Sequence, residues 1–279
     1  MKKKYIIIIV AVGIVILAAF LGLFFKQAFQ GLPMSEGSIG VVEVEDVILA
    51  SKTTVKELDR FAEDPGIRAI ILRIDSPGGG VAASQEIYDA VKRVREKKKV
   101  VVSMGAVAAS GGYYIALPAD RIVANPSTIT GSIGVILEFP VFEELFKKIG
   151  IRYEVIKSRD HKDIGSPFRT ITKEERGLLE GVIKDIYEQF IDATVDNRGL
   201  TRDSVYRIAD GRILTGRQAW KFGLVDTLGS FADAVDICGK LVGIENPNLV
   251  YPLRRFSFMD MLTKPMEKLI MPRIQYLWK

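Results

Sequence analysis

The sequence predicts an α/β domain on a mainly parallel sheet, preceded by one transmembrane helix. Three observations predict it. Strand–turn–helix units recur from Ser38 to Val242, as in domains built on parallel sheets. Two glycine-rich turns, Ser76–Gly80 and Ala108–Gly112, follow apolar strand-like runs. Residues 5–25 carry no charge.

The last of these comes first in the chain. Lys2, Lys3 and Lys4 precede the uncharged run and Lys26 closes it. The length matches the roughly 20 residues a helix needs to cross a bilayer core. The lysine excess before it places the N-terminus in the cytoplasm and the bulk of the chain outside, in a single pass of the cell membrane. A cleaved signal peptide is the alternative, but residues 26–31 (KQAFQG) are a poor cleavage context. Residues 1–26 therefore read as an anchor, 27–37 as a linker, 38–253 as the domain, and 254–279 as a basic amphipathic segment. In that last segment Phe258, Met261, Leu262, Met266, Leu269 and Ile270 have near-helical spacing. It reads as a packing helix or as a membrane or subunit contact.

Within the domain, 38–48 alternates as a strand and 53–62 reads as a helix. Residues 67–74 (IRAIILRI) form a buried strand, followed by a helix at 81–96 with Ala82, Ile87, Val91 and Val94 inward. Strands are expected at 100–103, 121–124, 135–137 and 152–157. A tight loop is expected at 130–134, and helices at 113–117 and 141–149. A long helix at 172–197 opens with Thr172 and Glu175 at capping-box spacing. Shorter helices follow at 202–208, 216–222 and 231–242.

Composition excludes several functions. The formal net charge is +5, but the basic excess lies at the two ends and the domain between them is slightly acidic. That argues against a nucleic-acid partner. The single cysteine, Cys238, lies in an apolar helical run and reads as a buried thiol, which rules out an intrachain disulfide or a multi-cysteine metal site. A single histidine, His161, excludes any scheme that needs two.

The two glycine turns carry the chemistry. In SPGGG (76–80), glycine lets backbone N–H groups approach a ligand or a developing oxyanion. The alternative is a plain strand–helix turn. In AASGG (108–112), small residues flank Ser110 at a strand-to-helix junction, which suits an exposed nucleophile on a sharp turn. A helix-capping serine is the alternative. Neither turn is followed by Gly-Lys-Ser/Thr, so a phosphate-binding loop is excluded. A serine nucleophile needs a base. His161 and its neighbour Lys162 are the candidates. A lysine, with an ordinary pKa near 10.4, must be desolvated for that task, yet 157–163 (KSRDHKD) is polar.

The blocks DSPGGGV, MGAVAASGGYYIALPADRIVANPSTITGSIGVI, HKDIGSP and ADGRILTGRQAWKFGLVD resemble the bacterial signal peptide peptidase A (protease IV-like) family, in order, over roughly residues 38–235. The resemblance implies a Clp-protease/crotonase-like fold. It implies Ser110 as nucleophile, Lys162 as general base and Ser132 as the residue that orients the lysine. It also implies Gly79 and Gly111 as oxyanion-hole donors, and no metal or cofactor. Short members of the family form octameric rings that combine serine and lysine from neighbouring protomers, at the membrane, on remnant signal peptides. A crotonase-like acyl-CoA enzyme and a non-catalytic membrane scaffold are the rival expectations.

Overall fold

The computed structural model describes residues 37–252 and 273–277, with positions 13, 17 and 20 of the N-terminal part. The chain divides into two units, Met1–Glu36 and Gly37–Lys279. Apart from those three positions the predicted anchor lies outside the described residues, as do the linker before Gly37 and residues 258–270. Among the described residues no helix is long and apolar enough to cross a membrane.

The second unit is built on a mixed sheet. Strands β1 (Ser38–Glu45), β2 (Ile67–Ser76), β4 (Lys99–Ala109) and β5 (Arg121–Ala124) form its parallel centre. Strand β10 (Asn248–Val250) pairs β1 at one edge, and β9 (Thr227–Leu228) pairs β5 at the other. β6 (Ile129–Gly131) pairs β4 in parallel and β8 (Ile213–Thr215) antiparallel. Burial on both faces explains why IRAIILRI is almost continuously apolar.

Each face of the sheet takes a different helix layer. Ile39, Val41, Ala69, Ile71, Val101 and Val123 pack against Ala234 and Cys238 of α8 (Phe231–Val242). The expected buried thiol is thus realised, and burial pushes its pKa up to about 12. On the other face lie α1 (Lys52–Glu63) and α2 (Val81–Arg95), with Leu58, Phe61, Ile87 and Val91 buried. Gly40 is required there, because a Cβ would sit 2.6 Å from the Phe61 ring. α5 (Lys173–Arg198) opens on the expected capping box of Thr172 and Glu175 and ends at Gly199, in the left-handed region at φ 62°. Its C-terminal half is buried at Phe190, Ile191, Ala193 and Thr194.

The sequence reading is corrected at four places. Residues 152–157 form no strand; all six are exposed and no strand among the described residues pairs with them. β-propensity without a pairing partner does not hold a strand. The expected loop at 130–134 begins as β6, and the helix expected at 113–117 is the short turn α3 (Gly111–Tyr114). β4 also runs six residues further than expected, through a bulge in which Asp75 alone opposes Gly105, Ala106 and Val107. The Asp75 carboxylate accepts from the N–H of Val107 at 3.1 Å and of Ala106 at 3.4 Å. Gly105 leaves room for it, since a Cβ would meet that carboxylate at 2.7 Å.

Candidate active site

The bulge sets the geometry that follows. Before it, β4 pairs β5; after it, Val107, Ala108 and Ala109 pair Ile129, Thr130 and Gly131 of β6. Two threonines fasten the switch. Thr128 Oγ1 donates to the Gly105 carbonyl at 2.7 Å, and Thr130 Oγ1 to the Ala108 carbonyl at 2.6 Å. Ala109 and Gly131 are partners, so the next residue on each strand, Ser110 and Ser132, leaves the sheet at the same level. Both have left-handed φ values, 53° and 50°. Such conformations cost a non-glycine residue of order 1–3 kcal/mol and persist only when the surroundings hold them. Here the Ser110 N–H donates to Gly131 O and the Ser132 N–H to Arg212 O, each at 2.8 Å.

Ser110 is on the sharp strand-to-helix turn the sequence suggested, but it is not exposed: it is 1 % accessible, and Ser132 is 7 %. Gly111 opens α3, so its N–H has no intrahelical acceptor. Gly112 abuts the other glycine turn, since a Cβ would lie 2.7 Å from the Ser76 carbonyl oxygen. The Ser110 and Ser76–Gly80 turns are therefore neighbours.

In that second turn, β3 (Gly78–Gly80) lies against Ile48. The Ile48 N–H donates to Gly78 O and the Gly80 N–H donates to Ile48 O, both at 2.8 Å. Side chains are impossible at the middle residue, because a Cβ on Gly79 would meet Ile48 O at 2.2 Å. Polar groups alternate along an extended strand, so the N–H and C=O of Gly79 face away from Ile48. On that side runs β11 (Arg273–Leu277), antiparallel, with Tyr276 opposite Gly79. β11 also pairs β7 (Ile136–Glu138), which makes a second, three-stranded sheet, and it passes close to α3. Nothing in the helical spacing of the C-terminal segment signalled this strand.

Lys162 differs from these groups in its exposure. It sits in an exposed turn (158–165) between α4 (Glu143–Lys148) and α5, with its N–H donating to Arg159 O at 3.2 Å. Among the described residues no hydrogen bond joins its amine to Ser110 or Ser132. His161, the other candidate base, has its Nε2 3.6 Å from the Glu174 carboxylate. One chain thus brings Ser110 and Ser132 to the same level beside the Ser76–Gly80 turn, while Lys162 stays exposed. Among the described residues no cluster of His, Cys, Asp and Glu could hold a metal ion.

The block GRILTGR also acquires a reason. Gly211 N–H donates to Ile133 O at 3.1 Å, and Gly216 N–H to Thr128 O at 2.7 Å. A Cβ at Gly216 would lie 2.1 Å from Asn125 O. This block braces the loop that carries Ser132.

Comparison with known proteins bears on the family and the fold. Residues 92–245 match Peptidase family S49, and residues 42–129 match Clp protease, in keeping with a Clp protease-like α/β fold. A protein of Synechocystis sp. inferred to be a protease is 44% identical over 74% of this chain and 75% of its own length. Protease 4 of Haemophilus influenzae is 36% identical over 74% of this chain, but over only 34% of its own length. An inferred signal peptide peptidase SppA of Enterococcus faecium is 34% identical over 64% of this chain and 53% of its own. This chain belongs to peptidase family S49 and is a serine peptidase related to Protease 4 and SppA.

Proposed function

We propose that this peptidase cleaves extended peptides with Ser110 as nucleophile and Lys162 of a neighbouring protomer as general base. One observation carries the reading: beside the strained Ser110 turn, the edge of Gly79 already takes a strand, Arg273–Leu277, in antiparallel register. A peptide substrate would use the same edge, as strand addition at a sheet edge does elsewhere. Its carbonyl would then lie near the N–H groups of Gly79 and Gly111. These would hold the oxyanion, and losing one such donor costs ~3–4 kcal/mol in the transition state in other enzymes. Ser110 passes its proton to the neutral lysine, which returns it to the leaving amine, and water releases the acyl group. Ser132 orients the lysine.

The exposed apolar side chains of the arm that carries Lys162 support a shared site. Val141, Leu145, Ile149, Ile151 and Ile156 are each more than 40 % exposed, and Ile156 is fully so. Such a surface marks a contact with another molecule. A second protomer laid on it would also withdraw Lys162 from water, which a lysine base requires. The ring of eight, the membrane anchor at 1–26 with the domain at 38–253 outside, and remnant signal peptides as substrates are carried over from the family resemblance. Membership of a peptidase family displaces the acyl-CoA alternative.

The test mixes two inactive variants, Ser110→Ala and Lys162→Ala, under conditions of subunit exchange. About a quarter of the sites should then combine an intact serine with an intact lysine and regain fluorophosphonate labelling and peptide hydrolysis. No recovery despite proven exchange would count against the shared site.

A further inference from the structure

The turn that carries Lys162 is exposed, and its backbone hydrogen bonds are local: Lys162 N–H to Arg159 O, Ile164 N–H to His161 O, Ser166 N–H to Asp163 O. Bonds of that kind shape a turn without fixing where it stands. What fixes it is an ion cluster around Arg169. The guanidinium grips Asp163 through two bonds, Nε–H to Oδ2 at 2.8 Å and one terminal N–H to Oδ1 at 2.7 Å. It also grips both oxygens of Glu175, with one bond at 2.7 Å. Lys157 joins Asp163 from the other side at 2.8 Å. The Glu175 side chain is only 3 % exposed and also accepts from the Thr172 N–H at 2.9 Å, closing the capping box of α5. Arg169 thus holds the Asp163 carboxyl well below the usual range and brings that of Glu175 down to about 2.

The residues on both sides of Lys162 are therefore directed to the start of α5: Asp163 through Arg169 to Glu175, and His161 towards Glu174. The far end of α5 is set in the core. Phe190 is fully buried, its ring 5.0 Å from that of Tyr114, which follows Ser110 by four residues. The helix is a strut from the serine side of the protomer to the lysine turn, and Arg169 is the joint at its outer end.

We infer that Arg169 is a positioning residue for Lys162, tying the lysine turn to the first turn of α5 through Asp163 and Glu175. The inference rests on the reading of Lys162 as the general base. A misplacement of about 1 Å at a reacting group can cost on the order of 100-fold in rate. Arg169→Gln should lower kcat by about 10- to 100-fold with KM within about twofold. Asp163→Asn frees only the lysine turn and leaves the Arg169–Glu175 pair and the helix cap in place. It should give the same split with a smaller fall in melting temperature than Arg169→Gln, so it decides the matter if Arg169→Gln folds poorly.

The deciding measurement is the rate of fluorophosphonate labelling of Ser110 in the full-length assembled enzyme, with each variant made alone and in a Lys162→Ala background, where the slow residual labelling is followed at high probe concentration. If Arg169 acts through the lysine, neither variant slows labelling further once the lysine is gone. Wild-type kcat in Asp163→Asn, or an equal loss in the Lys162→Ala background, overturns the inference and leaves the role of Lys162 standing. Full activity of Lys162→Ala alone removes the base, and the inference with it.

Discussion

The sheet that presents Ser110 and the arm that carries Lys162 are built on opposite terms. β4, β6 and their neighbours are buried on both faces, and every backbone oddity there has a partner: the bulge has Asp75, the two serines have Gly131 and Arg212. In the arm, α4 buries no residue and positions 149–162 are all exposed. Its order comes from a few contacts instead. Phe168 sits against Tyr153 and Phe146, with ring centroids 4.0 and 5.2 Å apart, and Glu143 accepts from the Thr170 N–H at 2.9 Å. One region is closed by contacts within the described chain; the other leaves apolar side chains exposed. The proposed nucleophile is strained and needs surroundings that do not yield. The proposed lysine base would have to lose its proton, which needs a cover that withdraws it from water.

The difference is broken most sharply at the reacting groups. Ser110→Ala and Lys162→Ala should each reduce peptide hydrolysis by at least about 10⁴-fold, as losses of triad members do elsewhere. Thermal melting of both should match the parent, and full hydrolysis by either variant would sink the assignment.

Next in size is the arm's apolar surface. Ile156→Asp should dissociate the assembly, seen as a smaller species in sedimentation, and lower activity at least about tenfold, because central apolar contacts dominate interfaces. An unchanged oligomer with unchanged activity would show that this face is not the contact.

The opposite behaviour is expected in the sheet. Leu72 is fully buried, so Leu72→Ala should lower unfolding free energy by about 2–5 kcal/mol. The fraction that stays folded should keep its rate per site; a large fall in kcat would mean that core and site are less separable than the geometry suggests.

The smallest effect is on pH. Asp163 and Glu175 have their pKa values depressed by Arg169, so their contribution to stability is present above the ordinary carboxylate range near 4. It is lost as pH falls through the folded-state values, towards 2. The melting-temperature gap between the parent and Arg169→Gln should therefore be constant above about pH 5 and close as pH falls. A gap independent of pH down to 2 would mean that the cluster adds nothing to folding.

Much of the fold is legible in the sequence, because its signals are local. The helix over 231–242 and the strand over 121–124 were expected at the bounds they have, and the capping box at Thr172 and Glu175 forms as its spacing implies. Periodicity and caps act over a turn or two and need no distant partner. The strand expected at 152–157 failed for the complementary reason: pairing is a long-range event, and among the described residues no strand came to it.

For the site, the residue types and the positions of both glycine turns could be read along the chain, and so could the family, through blocks lying in order. What folding decided is which of these groups meet. The Asp75 bulge, the common level of Ser110 and Ser132 and the edge that Gly79 offers to Arg273–Leu277 are all contacts across the chain. Each depends on where a second segment comes to lie. A linear pattern carries the chemistry of both partners but not the distance between them, because that distance is set by the packing of the whole domain.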